Sequence, residues 1–303
     1  MVDVAVEEYY WIYQVLVAPN AVGLGINSTL LLLHALVGLT FKQWWASGFW
    51  CLALAMNMAG FILRIGASKE WGYDCQNCWD VQYAFFIITP ALVMAGLYYQ
   101  MSKLITIYGL QYASLRPMTY AAIFSSCDLF TLVVQAIGGG IASGNQPNTG
   151  RWIAEAGIII QVISMVIFIT LFSMFVYDIR KAPAEEFESR WEHVRQRRMF
   201  RYFIPAIYLS WTFVFVRSVY RLAELGEGWL GYLNSHEAYF LIFDCLMMIL
   251  ALTTMIIVHP GYALGAEKIP VVGLHSKKHF VQDAETNANS IEKPPSAHNP
   301  DEL

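Results

Sequence analysis

The stretch RSVYRLAEL, residues 217–225, places two arginines and a glutamate at the end of the apolar run FIPAIYLSWTFVFV. Arg217, Arg221 and Glu224 follow the spacing i, i+4, i+7, which puts them on one face of a helix. A guanidinium is a planar donor whose geometry matches phosphate and carboxylate groups. This face could therefore coordinate an anionic or zwitterionic headgroup, or lock two helices together through an ion pair.

The composition indicates what surrounds these charges. Of the 303 residues, 57% are hydrophobic and 14% are charged, and the mean hydropathy is +0.45, whereas soluble domains contain roughly 25% charged residues. Successive apolar runs approach the roughly 20 residues that a helix needs to cross a bilayer. We predict an all-α polytopic membrane protein, a bundle of seven transmembrane helices. The expected spans are 16–39, 47–66, 81–105, 119–142, 154–177, 203–222 and 238–258.

The orientation follows from the lysines and arginines, which are in excess in cytoplasmic loops. With the N-terminus outside, the external segments contain two of these residues, Lys69 and Arg151, and the internal segments contain fourteen. We therefore predict an extracellular segment at 1–14, a transmembrane domain at 15–262 and a disordered cytoplasmic tail at 263–303. The first apolar run follows an acidic segment without a positive n-region, so we interpret it as a retained span rather than a cleaved signal peptide.

Charged residues within the spans indicate an enclosed site. Arg217 and Asp244 should both lie about 8–9 Å below the outer boundary, counting about 1.5 Å per residue, so they can meet. Intramembrane charges normally face the bundle interior or a wet cavity. We expect a polar cluster and a cavity open toward the outer half of the bilayer, formed by Arg64, Arg217, Arg221, Glu224, Glu237 and Asp244. The alternative is a structural Arg217–Asp244 pair, with Arg221 snorkelling to the surface.

The fourth span contains a second polar set, in CDLFTLVVQAIGGGIASG. Asp128 falls near the midplane, at the depth expected for Asn27 and Asn57, and is either a proton-coupling site or a hydrogen-bond partner of those amides. Gln135 and Gln161 come out at similar depth. The glycines at 138–140 are expected to let neighbouring backbones approach.

The segments CDLFTLVVQAIGGGIASG, RSVYRLAELGEGWLGYLNSHEAYFLIFDCLMMILAL and HPG at 259–261 resemble the fungal RTA-like family of lipid-translocating exporters. The resemblance extends from about Tyr13 to Gly261. It implies kinship with exporters of sphingoid long-chain bases, with proteins conferring resistance to amphipathic toxins, and with a protein implicated in porphyrin uptake. The family pattern marks Asp128, Gln135, Gly138 to Gly140, Arg217, Arg221, Glu224, His236, Glu237 and Asp244.

These observations favour a translocator of amphipathic lipid-like molecules over an enzyme. The expected partners are membrane lipids or amphipathic small molecules. The expected location is the plasma membrane, and an endomembrane location stays open. The chain lacks a GxxxxGK[ST] phosphate loop, so ATP hydrolysis by that route is excluded. The alternatives are a seven-helix lipid sensor or receptor and, less favoured, a lipid hydrolase or a porphyrin transporter. A retinal photoreceptor is excluded because residues 238–258 contain no lysine. The expected binding or translocation residues are Asp128, Gln135, Arg217, Arg221, Glu224, Glu237 and Asp244, supported by Asn27, Asn57, Arg64, Gln161 and His236.

The histidines and cysteines point to no cofactor. His34, His236 and His259 are expected at different depths, and the one HxxxH pattern, His275 to His279, lies in the polar tail, so neither a zinc site nor a haem site is predicted. Cys75 and Cys78 lie in a loop predicted to be outside, where a disulfide is possible. The small net charge of −4 argues against a nucleic-acid partner.

Overall fold

The computed structural model describes residues 15–66, 76–143, 146–228, 231–266, 269 and 271. Within this part of the chain all regular structure is helical, and seven helices are long and apolar enough to cross a membrane. The predicted fold class and number of spans are confirmed, and the chain is an integral membrane protein. The extracellular N-terminus stays a prediction. We call the end of the bundle that contains Glu237 the predicted outer end, and the end that contains Lys103 the predicted inner end.

Six of the seven spans are longer than the apolar runs that predict them, and the first span equals its run in length. The first five spans are α1 (Val17–Thr40), α2 (Trp44–Gly66), α3 (Gln76–Tyr108), α4 (Pro117–Ala142) and α5 (Pro147–Lys181). The short helix α6 (Glu192–Arg195) precedes the sixth span, α7 (Arg198–Glu227). The seventh span, Glu237–Leu264, combines α8 (Glu237–Tyr239), a π-helical segment (Phe240–Leu246), α9 (Met247–Ile257) and α10 (Pro260–Leu264). Single 3-10 turns occupy Leu110–Tyr112, Ala184–Glu186 and Ser189–Trp191.

Proline and glycine define several of these boundaries. Pro117 and Pro147 occupy the first positions of α4 and α5, where the missing N–H costs no hydrogen bond. Lys42, in the turn between α1 and α2, has a positive φ of 54°. Gly228 ends α7 with a φ of 91°, a conformation that glycine adopts without strain.

The seven spans form a closed ring, in which α3 is the most deeply buried member. Helices adjacent in sequence pack together from α1 to α5, α5 packs on α7, α7 on α9, and α9 on α1. Helix α3 also contacts α7, and its side chains Val93, Met94, Leu97, Tyr98 and Met101 are fully buried. The outer faces keep exposed leucines and isoleucines, as expected for surfaces in contact with lipid tails. Polar side chains inside this ring can therefore meet from several helices.

The packed chain continues past the predicted domain boundary at residue 262. Helix α10 ends at Leu264, and Ala263, Leu264 and Ile269 are buried in the core. Residues 272–303, which include most of the predicted tail, lie outside the described part of the chain. The three-part division of the chain stays a prediction.

Candidate functional site

Arg217 and Asp244 meet at the predicted outer end, as the depth count predicts. Arg217 Nε donates to Asp244 Oδ1 at 3.0 Å, and its Nη2 donates to the carbonyl oxygen of Phe86 at 2.8 Å. This one guanidinium therefore ties α7 to the seventh span and to α3. Two of its donors reach a carboxylate and a carbonyl, so the buried charge is paired and hydrogen-bonded.

Arg221 does not snorkel to the surface, so the alternative that gave it this position is wrong. Its side chain is buried, with Nη1 lying 2.5 Å from Glu224 Oε2 and 3.5 Å from Asp244 Oδ2. The guanidinium also lies over the Tyr83 ring, 4.2 Å from its centroid. Glu224 and Asp244 supply two anionic partners inside the bundle, so the chain has no need to extend to water. Arg217, Arg221 and Glu224 do share one buried helix face.

A second ion pair joins α2 to the seventh span. Arg64 Nη2 donates to Glu237 Oε1 at 2.8 Å, and Nε donates to Asn20 Oδ1 at 3.1 Å. Asn20 Nδ2 in turn donates to Glu237 Oε1 at 2.7 Å, and Gln82 Oε1 accepts from Arg64 Nη1 at 3.3 Å. The backbone N–H of Leu16 donates to the other Glu237 oxygen at 2.8 Å. Sequence reasoning missed Asn20 and Gln82. Each is an amide near the predicted outer end of an apolar run, and this shared depth was the signal that could have identified them.

The π-helical segment explains why the two carboxylates of the seventh span contact different neighbours. Glu237 and Asp244 are seven residues apart, and in a regular α-helix such residues point the same way. Phe240–Leu246 is π-helical, and its wider turns rotate the residues that follow relative to those before. Glu237 thus reaches Arg64 on α2, while Asp244 reaches Arg217 on α7.

Aromatic rings lie between the two ion-pair groups. The Arg64 guanidinium stacks over Phe240 at 4.3 Å, and the Phe240 and Phe86 ring centroids lie 5.2 Å apart. Phe86 is also the residue whose carbonyl binds Arg217. We name these six charged residues the outer ionic network: Arg64, Arg217, Arg221, Glu224, Glu237 and Asp244.

The open vestibule expected around these charges is not what the structure shows. Each of the six side chains belongs to a residue at most 7% exposed, and their charged groups contact one another. The guanidiniums and carboxylates pair with one another without water, although Arg221 Nη2 is buried without a hydrogen-bond partner. In this conformation its charges face neither solvent nor lipid.

Asp128 does not contact the midplane amides, and that expectation is also wrong. Its Oδ2 accepts from the hydroxyl of Tyr98 on α3 at 3.0 Å, and its Oδ1 is buried without a hydrogen-bond partner. Asn57 instead donates to Asn27 at 3.4 Å and accepts from Thr89 at 2.9 Å. Helix α4 contacts α3 and α5, so the nearest polar partner of Asp128 comes from α3.

Of two expectations about α4 and α5, the glutamine contact is confirmed and the glycine packing is confirmed at one of three positions. Gln135 Nε2 donates to Gln161 Oε1 at 3.0 Å. A Cβ added at Gly138 would lie 2.4 Å from the Ala154 nitrogen, so the α4 and α5 backbones touch there. Gly139 and Gly140 have open space at the Cβ position, so the packing role belongs to Gly138 alone.

The histidines do not all lie at different depths. The ring centroids of His34 and His259 are 5.7 Å apart, because α10 packs against α1 and α7 and keeps His259 inside the bundle. His34 Nε2 donates to the Leu252 carbonyl, and His259 Nδ1 accepts from the Gly261 N–H. His236 is exposed beside Tyr232 and stands apart from the outer ionic network.

No cluster of three or more potential metal ligands occurs in the described part of the chain. Cys78 is disulfide-bonded. Cys75, its expected partner, lies outside the described residues.

The ring of seven apolar helices and its buried ion pairs define an integral membrane protein with a charged interior at one end. The family model described as "RTA1 like protein" matches residues 50–267, and this chain belongs to that family.

Curated relatives from Saccharomyces cerevisiae include "Sphingoid long-chain base transporter RSB1". It is 34% identical over 291 residues, a match that covers 81% of this chain and 72% of the relative. "Protein RTM1" is 28% identical over 243 residues, covering 78% and 72% of the two chains, and "Protein RTA1" is 28% identical over 207 residues, covering 68% and 62%. No solved structure matches this chain.

Proposed function

We propose that this protein translocates amphipathic lipid-like molecules across the plasma membrane, with sphingoid long-chain bases as the first class to test. The outer ionic network would bind the polar headgroup. Two findings support the proposal: the similarity to a named sphingoid long-chain base transporter, and three buried carboxylates at one end of the bundle, of which Glu237 and Asp244 pair with other helices. The network is the observation that carries the proposed site.

The chemistry of the network suits such a headgroup. A sphingoid base ends in an ammonium beside hydroxyl groups, so it needs anionic acceptors and neutral hydrogen-bond partners. Asp244 is shared between Arg217 and Arg221, and Glu237 accepts from both Arg64 and Asn20. An arriving ammonium could replace Arg221 at Asp244 while Arg217 stays in place. Because Arg221 keeps Glu224 as its partner, such an exchange leaves each buried cation in contact with a carboxylate.

Opening is required for this exchange, because the network is enclosed in the described conformation. The ion pairs connect α2 and α7 to the seventh span, so separating the seventh span from either helix would expose a carboxylate. The π-helical segment between Glu237 and Asp244 lies at this point. Such segments occur frequently at functional sites.

The test is flip of a fluorescent sphingoid base in liposomes containing the purified protein. Asp244→Asn keeps the shape of the side chain and removes its charge, and Glu237→Gln does the same at the other carboxylate. Both variants are expected to lose most of the flip rate. The matched control is Asp178→Asn, a carboxylate on the exposed part of α5, which should flip at the rate of the unmodified protein.

Thermal unfolding in the same detergent separates transport from stability. Loss of flip by variants that remain folded at the assay temperature supports a headgroup site. A folded Asp244→Asn variant with undiminished flip would overturn the assignment of the site. Absence of flip by the unmodified protein, for sphingoid base, phospholipid and sterol analogues alike, would overturn the translocator proposal.

A further inference from the structure

A cavity of about 200 Å³ lies at the predicted inner end, remote from the outer ionic network. It is formed where the turn between α1 and α2 meets α3. Its wall includes Lys42, Gln43, Trp44, Trp45, Tyr99 and Lys103. Two of these residues are cations, none is an acid, and two are tryptophans.

Lys103 is the residue of this cavity that is suited to bind an anion. The residue is 5% exposed, yet it forms no ion pair within the described part of the chain. Its ammonium donates to Gln43 Oε1 and lies 4.9 Å from the centroid of the Tyr99 ring. A buried ammonium without a carboxylate is costly. It differs in this from the three buried arginines, each of which has an acid partner.

The surroundings hold the ammonium at the cavity wall. Gln43 Nε2 donates to the Gly265 carbonyl at 2.8 Å, which directs the opposite oxygen of the amide to Lys103. The Tyr99 ring adds a cation–π contact. An amide oxygen and an aromatic face reduce the cost of burial without neutralising the charge. The site therefore places a lysine without a carboxylate partner, among the described residues, beside an open volume.

The other wall residues fit a membrane surface. Trp44 and Trp45 begin α2 and are 61% and 68% exposed, and tryptophans concentrate where lipid headgroups meet the hydrocarbon. Lys42 precedes them in the turn and is exposed. Lys42 is the second cation of the cavity wall. It lies in the turn, with a left-handed backbone conformation, and not within a helix.

We propose that this cavity binds the phosphate group of an anionic membrane lipid in the predicted cytoplasmic leaflet. A lysine is a point-charge ligand for phosphate, and two lysines match a phosphate monoester such as that of phosphatidic acid. Water occupies about 30 Å³ per molecule in the liquid, so the volume accommodates a phosphate group. Among the described residues, the wall has no carboxylate to receive a choline or ethanolamine amine, so zwitterionic lipids are disfavoured. The inference stands independently of the proposed transport activity.

Native mass spectrometry of the full-length protein in detergent tests the proposal. The probes are short-chain phosphatidic acid, short-chain phosphatidylcholine and inorganic phosphate. We expect phosphatidic acid to bind more tightly than phosphatidylcholine by roughly tenfold or more, because the loss of a charge partner at a buried site typically changes the affinity by at least this factor. Lys103→Gln should abolish this preference, and Lys42→Gln should weaken it. Lys181→Gln, an exposed lysine at the same end and outside the cavity wall, is the matched control and should keep it.

The outcomes separate the possible anions. Phosphatidic acid binding that excess inorganic phosphate does not displace supports the lipid headgroup. Displacement by inorganic phosphate supports the anion site but overturns the lipid as its source. Equal binding of phosphatidic acid and phosphatidylcholine by the unmodified protein overturns the proposal without reference to any variant. Retention of the preference by folded Lys103→Gln also overturns it.

Discussion

The two ends of the bundle bury charge in different ways. At the predicted outer end, three guanidiniums and three carboxylates neutralise one another across several helices. At the predicted inner end, the buried Lys103 has an amide and an aromatic ring as partners and opens onto a cavity. A self-neutralising network holds helices together, whereas a cation without an acid is available to a ligand. The difference predicts that removing one charged group lowers the stability of the protein at the outer end and leaves it unchanged or raises it at the inner end.

The largest expected effect is at Asp244, whose carboxylate serves Arg217 and Arg221. Asp244→Ala leaves two buried guanidiniums short of a partner and should cost about 3–5 kcal/mol of unfolding free energy, the range for a broken buried pair. Denaturant unfolding in mixed micelles measures the change. Asp178→Ala, at an exposed position of α5, should leave stability within about 0.5 kcal/mol. A comparable loss in both variants would contradict the network's role.

A double-mutant cycle sharpens the description of the outer end. Arg64→Gln and Glu237→Gln should show a coupling energy of about 1.5 kcal/mol or more, because the two side chains form a close buried pair. Arg64→Gln and Asp244→Asn should be additive within about 0.5 kcal/mol, because Phe86 and Phe240 lie between the two ion-pair groups. The same unfolding assay provides all values. Strong coupling in the second cycle would show that the six charges act as one unit.

Close packing near the outer end offers a comparison that involves no charge. Gly138→Ala would bring a methyl group against the α5 backbone and should destabilise the protein by about 1–3 kcal/mol, as overpacking does. Gly139→Ala is the matched control, since its Cβ would meet open space. Thermal unfolding of the pair checks the prediction. Equal unfolding temperatures would show that the α4–α5 contact has no such constraint.

The smallest effect is expected at the inner end. Lys103→Met replaces a buried cation without an acid partner by an apolar chain of similar length. In detergent free of anionic lipid, stability should change by less than about 1 kcal/mol or increase, because replacing a buried charge with an apolar side chain is often neutral or favourable. A loss as large as that of Asp244→Ala would remove the contrast between the two ends.

Much of this arrangement was accessible from the sequence. Each span shows as an apolar run near 20 residues long, and the Arg217–Asp244 pair follows from counting depth along two successive spans. The errors concern neighbours across the bundle. The alternative in which Arg221 snorkels fails because Glu224 and Asp244 pair with it inside the bundle. Tyr98 could not be assigned to Asp128 because the sequence does not show which helices are neighbours. The π-helical segment has no sequence signal that we recognised, although it determines where Glu237 and Asp244 point.

The equal numbers of positive and negative groups in the outer ionic network have an electrical consequence. With all six groups ionised, the network as a whole carries no net charge, so displacing it as a unit through the membrane's electric field does no net work. A single uncompensated charge would instead contribute about 2.3 kcal/mol for each 100 mV that it crosses. Under the proposed translocation, motion of this network would therefore add no voltage sensitivity to the rate.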